Sequence, residues 1–296
     1  MFGKYLVGIR SAFMLACLLV QVAQAVNKGA EHIENKSVEQ KIEKHTEFVV
    51  ENGKTIVLST TMQNPKPIMF NKRAYQWVAH PSDTTKKIVI LAIPYHTKPS
   101  IIALESGAKV EVVQGNYKKE SIQVSQSKAK PNPKNQERIK RERDEANAIY
   151  SNYSQERLWD SAFVLPMQSK ITSSYGNARV FNGEIRSYHS GTDFRAAIGT
   201  KIFASNRGKV VIAKERFLAG GSVVLDHGEG VFSMYYHCSE IKVKVGDIVE
   251  KGTLVALSGA TGRVSGPHLH FGILVRGAQV DPLDFIAQVN GLFASN

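Results

Sequence analysis

From Ser161 onward glycine recurs every few residues, at Gly176, Gly183, Gly191, Gly199, Gly208, Gly220, Gly221, Gly228 and Gly230. The segments between are short, and glycine at that density marks tight turns between packed strands. No long amphipathic helical pattern separates these runs. The pattern therefore predicts an antiparallel all-β domain over residues 161–296, not an alternation of strands and helices. A chain of 296 residues has room for a second modest domain with its own core, and 43% apolar against 22% charged residues excludes a disordered or fibrous chain.

Residues 26–127 read as a second set of short strands. Residues 48–51, then Asn52-Gly53, then residues 55–58 predict a hairpin, because Asn-Gly accepts the positive φ of a tight turn. Further strand-like runs lie at 74–78, 87–93, 101–104, 110–113 and 121–124, separated by Pro, Gly, Asp and Ser. The expectation is a small β-sandwich acting as spacer or packing partner. Residues 128–160 read as a basic connector, Pro- and Lys-rich over 128–135 and then an exposed helix over 136–150 that bridges the two domains. The predicted fold is thus mainly β, with an N-terminal β-sandwich, a linker helix and a C-terminal antiparallel domain.

Lys4 and Arg10 precede an apolar run over 11–20, and Ala23-Gln24-Ala25 supplies a small-x-small cleavage pattern, so residues 1–25 read as a cleaved export signal. The run is shorter than the roughly 18 residues a spanning helix needs. An uncleaved anchor, or a lipoprotein site at Cys17, is the alternative. Cleavage after Ala25 leaves Cys238 alone, which forbids an internal disulfide and reads as a buried apolar cysteine. Export without disulfides suits a bacterial periplasm or cell surface.

The net charge of +12 falls to +10 without Lys4 and Arg10. Half of that excess sits in the connector, where Lys128, Lys130, Lys134, Arg138, Lys140, Arg141 and Arg143 face only Glu137 and Glu142. Such a run reads as a solvated helix face, with attraction to an anionic envelope polymer or membrane surface as the functional alternative. The export signal and the lack of an aromatic-basic binding motif argue against nucleic acid.

Five of the nine histidines, His189, His227, His237, His268 and His270, fall in the second domain. On a strand, residues i and i+2 share a face, so His268 and His270 project together while Leu269 turns to the core. His189 and Asp193 stand four apart across Gly191. His189, Asp193 and one histidine of the pair make a two-nitrogen, one-oxygen ligand set that leaves a fourth tetrahedral position open, as in catalytic zinc sites. Iron(II) takes a similar triad and stays open as a chemical rival.

These residues carry a family resemblance. The segment from Lys170 to Phe285 resembles the catalytic domain of the lysostaphin-type (LytM-type) zinc metallopeptidases, which cut peptidoglycan and have a duplicated hybrid β fold. The matching stretches are ITSSYG from Ile171, HSGTD from His189, MYYH from Met234, VKVGDIVEKG from Val243, SGATGRVSGPHLHFG from Ser258 and VDPLDF from Val280. The resemblance implies His189, Asp193 and His270 as ligands of one zinc ion per chain, and His237 and His268 as catalytic histidines. It leaves open which of the two takes which proton-transfer step. It further implies a murein endopeptidase acting on peptidoglycan stem peptides. Gram-negative members cut the D-alanyl to meso-diaminopimelate cross-link, whereas lysostaphin cuts pentaglycine. The N-terminal half resembles, with weaker motifs, the immunoglobulin-like module preceding the peptidase in some members. Cys238 departs from the family pattern, which has Leu after the catalytic histidine, and reads as a packing change. His227 reads as structural.

VKVGDIVEKG also resembles biotinyl and lipoyl carrier domains, but the modifiable lysine at a hairpin tip is missing here, which rejects a carrier. The remaining rival is a non-catalytic peptidoglycan-binding activator of a separate murein hydrolase. Such relatives lack metal ligands, and all five site residues are present here. The expectation is therefore a periplasmic zinc endopeptidase, with a regulatory envelope protein as a possible partner. The site is latent if the first domain or the basic helix covers it.

Overall fold

The computed structural model describes residues 40–41, 47–183 and 185–294; the segment read as an export signal lies outside them. Chain order begins with β1 (Gln40–Lys41), β2 (Glu47–Glu51), β3 (Thr55–Thr60), β4 (Ile68–Phe70), β5 (Arg73–Tyr75), β6 (Val78–Ala79), β7 (Lys87–Ala92), β8 (Ser100–Ala103), β9 (Lys109–Val113) and β10 (Lys119–Ile122). Two sheets, ordered β1-β3-β7-β6 and β2-β9-β8, enclose a core that includes Phe48, Val50, Ile56, Leu58, Val89, Leu91, Val110 and Val112. Strand β2 alternates exposed and buried residues, as a strand covered on one face must. Strand β3 is buried along its whole length, because its other face, with Val57, joins the core of the second half of the chain. The front module is a packing partner fused to its neighbour.

The expected hairpin over 48–58 does not form. Strand β2 pairs in parallel with β9, and β3 pairs with β7, so Asn52-Gly53 carries the chain from one sheet to the other. Gly53 alone takes a positive φ there, whereas the expected two-residue turn needs it at both positions. The Asn52 carboxamide Oδ1 is instead buried, accepting the Gly115 N–H at 2.8 Å.

Two helices follow, α1 (Gln126–Ala129) and α2 (Pro133–Ser151). The Asn132 side chain caps α2 by accepting the Asn135 N–H, and Pro133 occupies the first turn, where a missing N–H costs nothing. Arg138–Glu142 and Lys140–Asp144 pair one turn apart, the second on its exposed side and the first beside the Phe217 backbone N–H. The helix is not the free bridge expected of it. Its C-terminal half lies on the following sheet, where Ala146, Ile149 and Tyr150 pack with Ile212, Val224, Phe232, Met234 and Leu274.

The second half contains β11 (Ile171–Ser173), β12 (Ala178–Phe181), β13 (Ile185–Tyr188), β14 (Thr192–Arg195), β15 (Lys201–Phe203), β16 (Gly208–Arg216), β17 (Gly220–Asp226), β18 (Val231–Cys238), β19 (Glu240–Ile241), β20 (Ile248–Val249), β21 (Leu254–Leu257), β22 (His268–Val275) and β23 (Ala278–Val280), then helix α3 (Pro282–Asn290). The main sheet runs β11-β14-β22-β18-β17-β16-β20, antiparallel throughout, with β23 beside β22. A three-stranded sheet, β15-β21-β19, accompanies it. One face of the main sheet carries Tyr235, Leu269, Phe271 and Ile273 into a core closed by Phe163, Phe285 and Val289. Cys238 belongs to that core, and burial pushes its thiol up to about 12, as expected of an unreactive apolar cysteine.

Strand β10, which the sequence places among the front strands, pairs in parallel with β12, Lys119 to Ile122 matching Ala178 to Phe181. Among the described residues no helix is long and apolar enough to cross a membrane.

Candidate active site

The site is built on the face of the main sheet opposite the Phe271 core. Asp193 on β14 and Tyr236 on β18 are both direct cross-strand partners of His270 on β22, so the three side chains form a row across adjacent strands. His268 stands two residues before His270 on the same face, opposite Arg195. His189 follows β13, and its backbone is held between Asn177 and Gly176, donating to the Asn177 carbonyl at 2.9 Å and accepting from Gly176 at 2.8 Å. Gly191 allows the loop between His189 and Asp193 to lie on β22. A β-carbon there would fall 2.4 Å from the Phe271 carbonyl oxygen and 2.6 Å from His270 Nε2.

His237 reaches this face by a different device. Strand alternation puts Tyr236 on the site face and would turn His237 to the core. Between the pairs Val223–Tyr235 and Gly221–Cys238, one residue of β17 faces two of β18, which is a β-bulge. His237 has φ +66°, a conformation that costs a non-glycine residue about 1 kcal/mol. Its N–H bonds to the Ala219 carbonyl at 2.9 Å. The ring then lies 4.8 Å from His268 and 5.9 Å from His270, centroid to centroid. All five residues singled out from the sequence are brought together.

His189 Nε2, Asp193 Oδ1 and His270 Nδ1 lie 2.8, 3.0 and 2.9 Å from one another. The residues themselves are almost fully buried, at 1%, 6% and 7% exposure. Three converging electron-pair donors need a cation between them, either protons or a metal ion. The spacing is a few tenths of an ångström tighter than the ~3.3 Å between tetrahedral ligands about 2.0 Å from zinc, so the donor set fits such an ion with a small expansion. His189 Nδ1 donates to the Ser174 carbonyl at 2.8 Å, which fixes its tautomer and leaves Nε2 with the lone pair facing inward. Burial pushes His270 down to about 4. When protons fill the cation's role, the hydrogen bonds from His189 and His270 outweigh burial, which alone would raise the Asp193 carboxyl, and hold it well below the ordinary carboxylate range.

His237 and His268 share one arrangement. His237 Nδ1 is 2.8 Å from the Thr261 carbonyl, and His268 Nδ1 is 2.8 Å from the Gly266 carbonyl. A carbonyl only accepts, so each Nδ1 carries the hydrogen and each Nε2 is left with a lone pair. His268 Nε2 lies 3.7 Å from Asp193 Oδ1. Burial, reinforced by the neighbouring His268 and His270, lowers the His237 imidazole well below its usual value.

Two further residues support the centre and were not singled out from the sequence. Arg179 Nη2 donates to the other Asp193 oxygen, Oδ2, at 2.7 Å, and Arg179 Nε pairs with Glu120 at 3.2 Å. Glu120 also accepts from Ser173 Oγ at 2.9 Å. Nothing in the chain order marked Glu120, since its strand was grouped with the front module. A cleft of about 460 Å³ opens on this side, where Asp193 and His268 meet Glu120, Arg179 and Gly266. On the other flank of His270 the Tyr236 ring is nearly parallel to the imidazole, 4° apart with centroids 5.6 Å distant. His227 stands outside this group, buried near Phe163.

Residues 187–282 match the profile of Peptidase family M23. Peptidoglycan DD-endopeptidase ShyB of Vibrio cholerae is 42% identical over 95 residues, which are 32% of this chain and 22% of that protein. Peptidoglycan DD-endopeptidase ShyA of the same species is 45% identical over an equal span and the same shares. The chain thus spans little more than a fifth of the length of either relative. A crystal structure from Pseudomonas aeruginosa, provisionally assigned to peptidase M23, superposes with a TM-score of 0.64 at 28% identity, covering 80% of this chain and 95% of that one.

Proposed function

Because this chain carries a Peptidase family M23 domain over residues 187–282, we propose that it is a zinc-dependent endopeptidase of the cell envelope. Its substrate in this reading is the peptide cross-link of peptidoglycan, the D-alanyl to meso-diaminopimelate bond in particular. The observation that carries the reading is the inward convergence of five side chains, three as a cation-binding set and two as imidazoles with free Nε2 atoms. We assign His189, Asp193 and His270 to one zinc ion, and His237 and His268 to proton transfer. Zinc held there supplies Lewis acidity and a water acidified toward a pKa of about 7.

The chain's own groups do the rest. His237 and His268 are held by backbone carbonyls with Nε2 as acceptor, so either ring can take a proton at Nε2 from the attacking water. Once protonated, the same atom can donate to the oxygen that gains charge, or to the leaving amine. Burial of the site excludes bulk water and strengthens these hydrogen bonds. Arg179 occupies Asp193 Oδ2, which keeps Oδ1 directed at the cation set. Export through the segment over 1–25, the immunoglobulin-like character of the front module, and control by an envelope partner belong to the same proposal.

The test incubates the purified chain, with zinc and then with a chelator, on isolated cross-linked peptidoglycan, and reads the released muropeptides by mass. Zinc-dependent loss of dimeric muropeptides is expected. His270→Ala should lose both metal and activity, whereas His268→Ala should keep its metal and lose activity by about 10²-fold or more. Absence of cleavage despite bound metal would overturn the reading in favour of a non-catalytic peptidoglycan-binding activator.

A further inference from the structure

Beyond Tyr236, on the flank of His270 opposite Asp193, the sheet face opens into a cavity of about 990 Å³. Leu274 lies in it, on the same face of β22 as His270 and four residues further on, roughly 14 Å along the strand. Ala219, whose carbonyl holds the His237 N–H, is also in its wall. The cavity therefore continues the site.

Its charges are one-sided. Four arginines, Arg73, Arg143, Arg216 and Arg276, line it against the single carboxylate of Glu142. Both Glu142 oxygens are committed elsewhere, Oε1 to Arg138 at 2.7 Å and Oε2 to the Phe217 N–H at 2.9 Å. Among the described residues Arg73, Arg216 and Arg276 form no ion pair. Neutral acceptors orient two of them. Arg276 Nη1 donates to the Tyr153 hydroxyl at 2.8 Å, and Arg216 Nη2 to the Glu142 backbone carbonyl at 3.1 Å. Arg73 comes from the front module, and a β-carbon at Gly277 would lie 3.4 Å from its Nη2, so it meets the turn that bears Arg276. Guanidinium groups fixed by neutral partners keep their full charge, and gathering them on one cavity favours an anion there.

We propose that this cavity is a carboxylate subsite for the peptide stem of the substrate, with Arg73, Arg216 and Arg276 receiving an α-carboxylate a few residues from the bond that is cut. The proposal rests on the endopeptidase reading for the identity of its ligand. An extended peptide advances about 3.4 Å per residue. In this proposal a stem with its cut bond at the cation set runs past Tyr236 and brings its second residue, a glutamate linked through its side chain, to the near end of the cavity. That residue keeps a free α-carboxylate.

The test compares two monomeric muropeptides that differ only at this position, one with the free α-carboxylate and one with its amide. Binding to the full chain is read by titration calorimetry, so no cleavage is required. Wild type is expected to bind the free acid about tenfold more tightly. The double variant Arg216→Gln/Arg276→Gln should lose that preference, and the corresponding double lysine variant should retain most of it. On cross-linked dimers the glutamine variant should raise KM about tenfold for the acid alone, with kcat within twofold. Equal affinity of wild type for acid and amide, or equal weakening of both in the glutamine variant, overturns the subsite. Retained preference without cleavage supports the subsite and sinks the endopeptidase reading, which separates the two failures.

Discussion

His227 offers a quantitative check on how this fold depends on a buried polar group away from the site. It has no exposed surface, its Nδ1 donates to the Arg207 carbonyl at 2.7 Å, and its Nε2 lies 2.8 Å from Ser233 Oγ. The Ser233 hydroxyl is 2.9 Å from that of Tyr235, which accepts the Ser205 N–H at 2.8 Å. Burial pushes the imidazole down to about 4, although the Arg207 carbonyl partly opposes this. An unfolded histidine titrates near 6.5. As pH falls through 6.5 the unfolded chain takes up the proton first, so the stability that neutral His227 contributes is full above 6.5 and disappears down to about 4. Between pH 7 and pH 5 the loss amounts to about 2 kcal/mol. The assay is urea unfolding of metal-free wild type and His227→Gln at both pH values. Metal release then adds nothing, and the other buried histidines titrate alike in both proteins. The variant is expected to be the less stable at pH 7, but to lose about 2 kcal/mol less than wild type on going to pH 5. Losses equal within about 0.5 kcal/mol would refute the argument that burial of this imidazole governs its titration.

Gly191→Ala should drive a β-carbon against the Phe271 carbonyl and His270, weakening metal affinity about tenfold or more in competition with a chelator. Burial, with Asp281 adding to it, pushes the Asp284 carboxyl up to about 7, against the hydrogen bond it accepts from the Thr55 N–H. The stability of its protonated form is complete below about 4 and is lost as pH rises through 7, so Asp284→Asn should gain about 3 kcal/mol over wild type between pH 5 and pH 8 in urea titrations. The fragment 161–296 lacks the helix that covers Phe232, Met234 and Leu274, and its unfolding free energy from urea titration should be lower by at least ~3 kcal/mol. Specific activity of that fragment equal to the full chain's would remove the idea of a covered, latent site.

Much of the site was legible because strand periodicity is a local property. His268 and His270 share a face by simple alternation, and the four-residue spacing of His189 and Asp193 needs only Gly191 to bring the loop onto β22. His237 was found by resemblance, since alternation alone sends it into the core. The bulge that re-aims it depends on the register between β17 and β18, which no local pattern encodes. Glu120 was missed for a related reason. Its strand was recognised as a strand, but nothing in a short alternating run names the partner, and the partner is β12. The Asn52-Gly53 turn exists, but a turn signal does not say whether the next strand stays in the same sheet. The helix after Pro133 was read as wholly solvent-facing because its charges dominate, while Ala146, Ile149 and Tyr150 suffice to anchor it.

The pairing of β10 with β12 also bears on how chains of this kind can be recombined. A crossover placed in the charged connector, where composition suggests a natural cut, would bring a foreign strand to the edge of β12 and remove the carboxylate that steadies Arg179. Grafts that join this front module to another peptidase, or the reverse, should succeed only when the splice lies between β9 and Lys119, so that residues 119–122 travel with the half that bears the histidines. The unit of inheritance for this site begins well ahead of residue 187, where the family match begins.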